Sequence, residues 1–295
     1  MKESRYVKLA NTMFRVLKKA RIPLFLHARS NHIFTIWQHI ILLVLRQYER
    51  KSYRMFTDWL IEAYYLRNFL ELDYIPHFTT LQKFAARIAD TLLAKIISSF
   101  ILLLNISRLF IGIDSTGFKM TNASEYYTYK AKLRKKYIKL SASADMLFQL
   151  IVVIKIRRAP TTKHDTKDFQ PLIIKSSDIL PISITVTDKG YDSEDNHVFV
   201  REYIHAFSII PARFEYIPLW RTYGKYRKQM KMGYSKILYH QRNKNETIMS
   251  VIKRLFGEYL ISKTIRTQNK ELSFRCIAYN MHRLTNLVII VMFST

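Results

Sequence analysis

Cysteine, glycine and acid are all scarce in this chain. A single cysteine, Cys276, in 295 residues leaves nothing from which to build an intramolecular disulfide framework or a cysteine-based zinc site. On its own it reads as a small buried hydrophobe. Six glycines occur, Gly112, Gly117, Gly190, Gly224, Gly233 and Gly257, and none lies in the first 111 residues. Phosphate loops of the P-loop and dinucleotide kinds need several glycines in one turn, so no nucleotide cofactor and no ATP- or NAD-driven chemistry is expected. Long apolar runs are missing as well. The best stretch, residues 92–106, carries Lys95 and falls short of the roughly 18 to 20 residues that a spanning helix needs, so no membrane partner is expected. The opening MKESRYVKLANTMFRVLKK has no long apolar core followed by small residues and does not read as a secretory signal.

The shortage of acid sets the function class. Asp and Glu number 22 against 48 Lys and Arg, a formal charge of +26. Hydrophobic residues at 49% and charged residues at 24% are globular values, so this charge sits on a folded surface. Self-repulsion of that size is relieved by a polyanion, and nucleic acid is the commonest one. Composition therefore points to a soluble, intracellular, cytoplasmic, nucleic-acid-binding protein.

The glycine-free first third reads as helical. One buried helix starts near Ile33. A second is expected across residues 54–70, with Trp59, Ala63, Leu66 and Leu70 on its apolar face. Pro76 marks a break, with Thr79 as the next helix N-cap. The pair could form a helix-turn-helix whose reading helix runs over residues 79–87. Residues 1–105 are thus assigned as a helical DNA-binding domain. Basic residues exceed acidic ones there by 17 to 7 over residues 1–110, which suits a surface lying on DNA.

From Ser107 the pattern changes. SRLFIGID, YIKLSASAD and MLFQLIVVIKIRR read as three strands, the last two joined at a turn near Asp145 and so antiparallel. A loop and helix follow, then PISITVTDKGYDS as another strand ending on aspartate, the helix EDNHVFVREYI and the strand HAFSIIPAR. A basic irregular insertion is expected at about residues 213–238, then helices over about 239–255 and 270–288. The order β-β-β-α-β-α-β-α predicts an α/β domain over residues 106–295, with three antiparallel strands followed by parallel crossovers. The late apolar run LVIIVMF reads as core or subunit contact.

Chemistry gathers on three acids. Asp114 in IGIDSTGF and Asp188 in TVTDKGYD each close an apolar run, and each is followed by glycine within three residues. In an α/β sheet the strand ends face a crevice, where functional side chains collect. A strand-end Asp is commonly a turn-former, but finding two in the same setting weakens that reading. In YHQRNKNETIMSVIK the offsets of Tyr239, Arg242, Glu246 and Lys253 place a phenol, a guanidinium, a carboxylate and an ammonium within roughly 60° on one helix face. The bland alternative is a solvated face with an i,i+4 ion pair.

Asp-Ser-Thr at 114–116, Asp-Lys-Gly-Tyr-Asp at 188–192 and the Tyr-(2)-Arg-(3)-Glu-(6)-Lys array resemble the signatures of insertion-sequence DDE transposases, over about residues 107–260. The resemblance implies an RNase H-like catalytic core: a mixed sheet flanked by helices, preceded here by the all-helical N-terminal domain. It makes Asp114, Asp188 and Glu246 the catalytic, metal-binding triad, with Asp114 bridging. Tyr239, Arg242 and Lys253 become contacts to transposon-end DNA, and Lys189, Gly190 and Tyr191 belong to the motif around the second acid, Lys189 and Tyr191 as further DNA contacts. His164-Asp165 resembles another family element but lacks the glycine expected in its loop, and it is left outside the site. The implied cofactor is Mg²⁺, two ions per site, with Mn²⁺ substituting. Phosphodiester transfer needs charge neutralised on both the attacking and the leaving oxygen, and two hard cations about 3.5–4 Å apart, held by oxygen ligands, do this.

The basic surface agrees. Eleven Lys and Arg stand against Glu215 and Glu246 over residues 213–254, interleaved with Tyr216, Trp220, Tyr223, Tyr226, Tyr234 and Tyr239. Cations bind phosphates and aromatics stack bases. KAKLRKKYIK, residues 130–139, carries six more cations. The expected activity is DNA transposition: binding terminal inverted repeats in double-stranded DNA, metal-dependent hydrolysis, and joining of the 3′-OH to target DNA by transesterification. Synapsis of two ends implies a homodimer on DNA. A structure-specific nuclease or resolvase with the same core, and a non-catalytic nucleic-acid-binding protein, are the alternatives.

Overall fold

Among the described residues, the first third of the chain forms six helices, α1 (Arg5–Lys19), α2 (Ile36–Tyr48), α3 (Tyr53–Glu62), α4 (Tyr64–Phe69), α5 (Phe78–Arg87) and α6 (Asp90–Ser99). The computed structural model describes residues 4–26, 32–120, 137–159 and 166–293. Helix α2 opens on a capping box: Thr35 Oγ1 accepts from Gln38 N at 3.1 Å, and Gln38 Oε1 accepts from Thr35 N at 2.7 Å. The single helix expected over residues 54–70 is broken at Ala63, whose ψ of 55° is not helical. The break turns Phe56, Leu60, Leu66 and Leu70 inward, while Trp59 and Ala63 stay half-buried. At the start of α5 the cap is His77 rather than Thr79; the imidazole Nδ1 accepts from Thr79 N.

The sheet unit, Asn105–Val251, is built on five strands, β1 (Leu109–Lys119), β2 (Tyr137–Asp145), β3 (Leu150–Ala159), β4 (Ile182–Val186) and β5 (Phe207–Ile209). Their spatial order is β3-β2-β1-β4-β5. β1, β2 and β3 pair antiparallel; β4 lies parallel to β1, and β5 parallel to β4. Helix α7 (Thr166–Ser177) covers β2 and β3, burying Phe169, Leu172 and Ile173. In its first turn Asp168 is buried with cations from β3 around it, Arg157 at 2.7 Å and Lys155 at 2.9 Å. Helix α8 (Glu194–Val198) precedes β5. Three antiparallel strands followed by parallel crossovers match the expected order.

The turn between β2 and β3 hangs on Asp145. Its carboxylate accepts from Leu147 N at 3.0 Å and Phe148 N at 2.9 Å, and from Phe110 N of β1 at 3.1 Å. After β5 come α9 (Lys225–Met232), α10 (Lys236–His240) and α11 (Asn243–Phe256). The stretch expected to be irregular, residues 213–238, therefore contains a helix and the start of another.

The last helix, α12 (Ile265–Phe293), packs on α1, α2, α5 and α6. The division between units falls inside α11, and Ile252–Thr295 joins Met1–Leu104. The expected boundary, with residues 106–295 as one domain, differs from this. The reason lies in burial: Leu272, Phe274, Cys276, Ile277, Ala278 and Met281 of α12 are all buried, as are Lys270, Glu271 and Arg275, and a helix buried on nearly all sides needs neighbours all round. The buried charge on α12 is paired. Arg275 donates to Glu271 at 2.6 Å and to the Gly257 and Tyr259 carbonyls at 2.7 Å. Among the described residues no helix is long and apolar enough to cross a membrane. The side chains of LVIIVMF from residue 288 onward lie outside the described residues, as do His164-Asp165 and residues 130–136 of the basic run.

Candidate active site

Pairing places the first two acids. Phe110, Ile111 and Gly112 of β1 stand opposite Ile184, Thr185 and Val186 of the parallel β4. Continuing that register by two residues sets Asp114 level with Asp188, on the same face by the two-residue period of strands. β4 has ended by then, while β1 runs on to Lys119 along β2, with Asp114 opposite Ala142. Asp114 thus does not close its strand, as the sequence suggested. It sits where the sheet has lost one neighbour, and the vacated edge is an open cleft of about 560 Å³ lined by Asp114, Ser115, Thr166, Asp188, Lys189, Gly190, Tyr191 and Arg213.

Each aspartate is held by one backbone donor. Asp114 Oδ1 accepts from Ser115 N at 2.7 Å, and Asp188 Oδ1 accepts from Gly190 N at 2.8 Å. The second oxygen of each has no hydrogen-bond partner among the described residues. Burial raises the Asp114 pKa from 3.8 to about 6; the Ser115 N–H opposes this, and the charges of Asp188 and Glu246 add to it. A carboxylate so placed is short of positive charge.

Glu246 reaches this neighbourhood on α11. The helix lies close over β1 at Gly112, where a Cβ would stand 2.3 Å from Asn245 Nδ2 and 2.6 Å from Met146 Sδ; only a glycine admits α11 there. Lys244 Nζ donates to the Met146 carbonyl at 2.8 Å and pins the same turn. The continuous helix expected over residues 239–255 is interrupted. Arg242 N bonds to the Tyr239 carbonyl and Asn245 N to the Arg242 carbonyl, a tighter i→i+3 pattern between α10 and α11. Tyr239 lies on α10, Arg242 in the junction, and Glu246 and Lys253 on α11. Arg242 still gathers two partners, with Glu246 Oε1 at 2.9 Å from its Nη1 and the Tyr239 ring centroid 5.6 Å from its Cζ.

The three acids are not equivalent. Asp114 and Asp188 share the cleft, whereas Glu246 is spent on Arg242 and does not line it. Among the described residues no group of three His, Cys, Asp or Glu converges closely enough to hold one ion. The donor chemistry nevertheless fits a hard cation: two level carboxylates, each with an oxygen to spare and one with a raised pKa, want positive charge between them. Of the other expected residues, Lys189 reaches Glu215 at 2.6 Å. Tyr191 is 3% exposed with its ring 5.9 Å from that of Phe169, so it is a wall of the cleft rather than an exposed DNA contact. Lys253 lies beyond the division within α11, in the helical unit.

Sequence reasoning missed how the basic arm is fastened. Asp192 accepts from Arg213 N at 2.8 Å and takes Arg227 through Nε at 2.8 Å and Nη2 at 2.7 Å. Glu194 accepts from Tyr226 N and Arg227 N, each at 3.0 Å, closing the N-terminus of α9. The signal was present: Asp188, Asp192, Glu194 and Asp195 put four carboxylates into eight residues of a chain whose net charge is +26. Arg213 and Thr166 were not singled out either, and only the fold brings them to the cleft.

The sequence model of the family described as transposase DDE domain matches residues 107–281, more than half of the chain. Comparison with curated proteins gives no match. Among solved structures, the chain is similar to the piggyBac transposase in a synaptic complex with hairpin DNA, determined by cryo-EM. The identity is 10% and the TM-score 0.49, with 95% of this chain and 74% of that chain covered.

Proposed function

We propose that this chain, which belongs to the transposase DDE domain family, is a DNA transposase that binds terminal inverted repeats, hydrolyses a strand to free a 3′-OH and joins that end to target DNA by transesterification. The observation that carries the reading is the level pair Asp114 and Asp188 in one cleft with Arg213 on its rim. On this reading the mixed sheet is an RNase H-like core, and the basic residues 213–238 lie along double-stranded DNA. Two copies of the chain hold the two ends, on the nucleoid of a prokaryotic cell.

Asp114 and Asp188 would hold Mg²⁺, or Mn²⁺ in its place, through their spare oxygens, with Glu246 as the third ligand once it leaves Arg242. When bound, two such ions supply charge neutralisation at the attacking and leaving oxygens of the phosphodiester. The chain's own residues do the rest. Arg242, released from Glu246, turns to phosphate, where a guanidinium binds in a planar fork. Tyr239 and Lys253 are each further contacts to transposon-end DNA, and Lys189 becomes one when DNA displaces Glu215. The Ser115 and Gly190 amides keep one oxygen of each aspartate fixed, so the other is aimed before DNA arrives. With no nucleotide cofactor, the energy of the broken phosphodiester passes through both transfers.

The test is a cleavage assay on a supercoiled plasmid carrying the gene with its native flanks, with Mg²⁺, Mn²⁺ or chelator. The wild type should cut at inverted repeats on the gene borders in a metal-dependent way. Glu246→Gln should bind the same DNA with little change and lose cutting by at least about a hundredfold. Cuts scattered or directed by DNA structure would mean a nuclease, and binding without cutting in every metal would mean a non-catalytic coat.

A further inference from the structure

We propose that Arg213 is the residue that grips DNA phosphate at the Asp114–Asp188 cleft, and that Asp192 is the residue that positions it. The inference rests on the reading of that cleft as the phosphodiester-transfer site, and it identifies the cation that stands unpaired there before DNA displaces Glu215 and Glu246 from the others. Among the described residues, two cations line the cleft, Lys189 and Arg213. The charge of Lys189 is met by Glu215 at 2.6 Å. Two arginines nearby are also spent, Arg242 on Glu246 and Arg227 on Asp192. Arg213 is different: its guanidinium makes no ion pair and no hydrogen bond among the described residues. It is exposed, with only the Phe214 ring beneath it, 5.8 Å from Cζ to centroid.

Its isolation is not for want of acids. Arg213 also lines a second, adjoining cleft of about 310 Å³ with Asp192, Glu194 and Asp195, so it stands on the rim between two acidic hollows. Asp192 is committed elsewhere, since its side chain is 1% exposed and both oxygens are taken by Arg227 and by the Arg213 backbone amide. Glu194 is used up on the first turn of α9. Asp192 therefore fixes the backbone of Arg213 while leaving its side chain unneutralised. A guanidinium unpaired on a fixed stretch of backbone, beside two carboxylates that want a cation of their own, suits a group carrying negative charge on several oxygens. A phosphodiester fits, and the planar fork of Arg matches two of its oxygens at once.

The experiment uses the full chain. Wild-type cuts are first mapped on the plasmid described above, and a duplex of the mapped end is then made with and without one methylphosphonate at the cleaved phosphate, which removes its charge. Arg213→Ala should weaken binding to the unmodified duplex about 10- to 100-fold, with an unchanged melting temperature because the side chain is exposed. The methylphosphonate should cost the wild type a similar factor and cost Arg213→Ala little more. Arg213→Lys should recover part of the loss, as charge without the fork. Asp192→Asn should weaken end binding, yet combined with Arg213→Ala it should be no weaker than Arg213→Ala alone. Independent losses from the variant and the methylphosphonate, or an Arg213→Ala protein that binds and cuts like the wild type, would overturn the proposal while leaving the transposase reading standing. A wild type that never cuts at the gene borders would overturn both.

Discussion

Asp114 keeps its proton to about pH 6, against 3.8 when unperturbed, because burial disfavours its charge and the carboxylates of Asp188 and Glu246 add to the penalty. The folded state thus binds this proton more tightly than the unfolded state does. Between about pH 4 and pH 6 the unfolded chain loses it first, so stability falls as pH rises through that window and stays reduced above it. A shift of this size corresponds to about 3 kcal/mol at most. Asp114→Asn removes the penalty, so urea unfolding at pH 7.5 should show the variant more stable than the metal-free wild type by about 1–3 kcal/mol, with the gap closing near pH 4. Added Mg²⁺ should raise the wild-type midpoint and leave that of Asp114→Asn nearly unchanged. An equal midpoint for both proteins at pH 7.5 without metal would remove the electrostatic account.

At the scale of elements, the arm from Arg213 to α9 is held by acids from the segment that follows Asp188. Glu194 closes two backbone amides of α9, and a carboxylate at a helix N-terminus is worth about 1–2 kcal/mol. Glu194→Ala should cost that much and raise hydrogen exchange across residues 225–232, with the sheet strands unaffected; unchanged exchange in α9 would show that the helix does not depend on this cap. This fastening was not legible in the sequence, because the partners of Tyr226 and Arg227 lie more than thirty residues upstream and no local pattern links them. The strands were legible, β2 to the residue, since Tyr137–Asp145 alternates and ends on a turn former. Asp114 and Asp188 were legible as a pair because both follow apolar runs, although β1 does not end at Asp114. The interruptions at Ala63 and between α10 and α11 were not, because apolar spacing tolerates a short change of helix winding. The array at Tyr239, Arg242 and Glu246 survives that change, for the i,i+4 spacing of Arg242 and Glu246 persists across the junction.

On the scale of the whole molecule, the sheet unit is inserted between two parts of the helical one, Met1–Leu104 and Ile252–Thr295. Burial explains why contacts group α12 with the first helices where linear reading grouped it with the sheet: its buried residues match a core that the chain began some 170 residues earlier. Residues 4–104 expressed alone should show weak, non-cooperative thermal unfolding, because α1, α2, α5 and α6 lack the helix that fills their centre. Supplying residues 252–293 as a second polypeptide should restore a cooperative transition. A sharp transition in the first fragment alone would show that α12 is dispensable to that core. The same discontinuity governs the order in which the protein matures on the ribosome. Residues 105–251 take roughly 7 to 30 s to synthesise, and throughout that time the first helices have emerged but cannot close. The sheet unit can be finished while its host is still open, so the completed helical core comes last, and a translational stop within α12 would release a chain with its acids assembled and its frame unsealed.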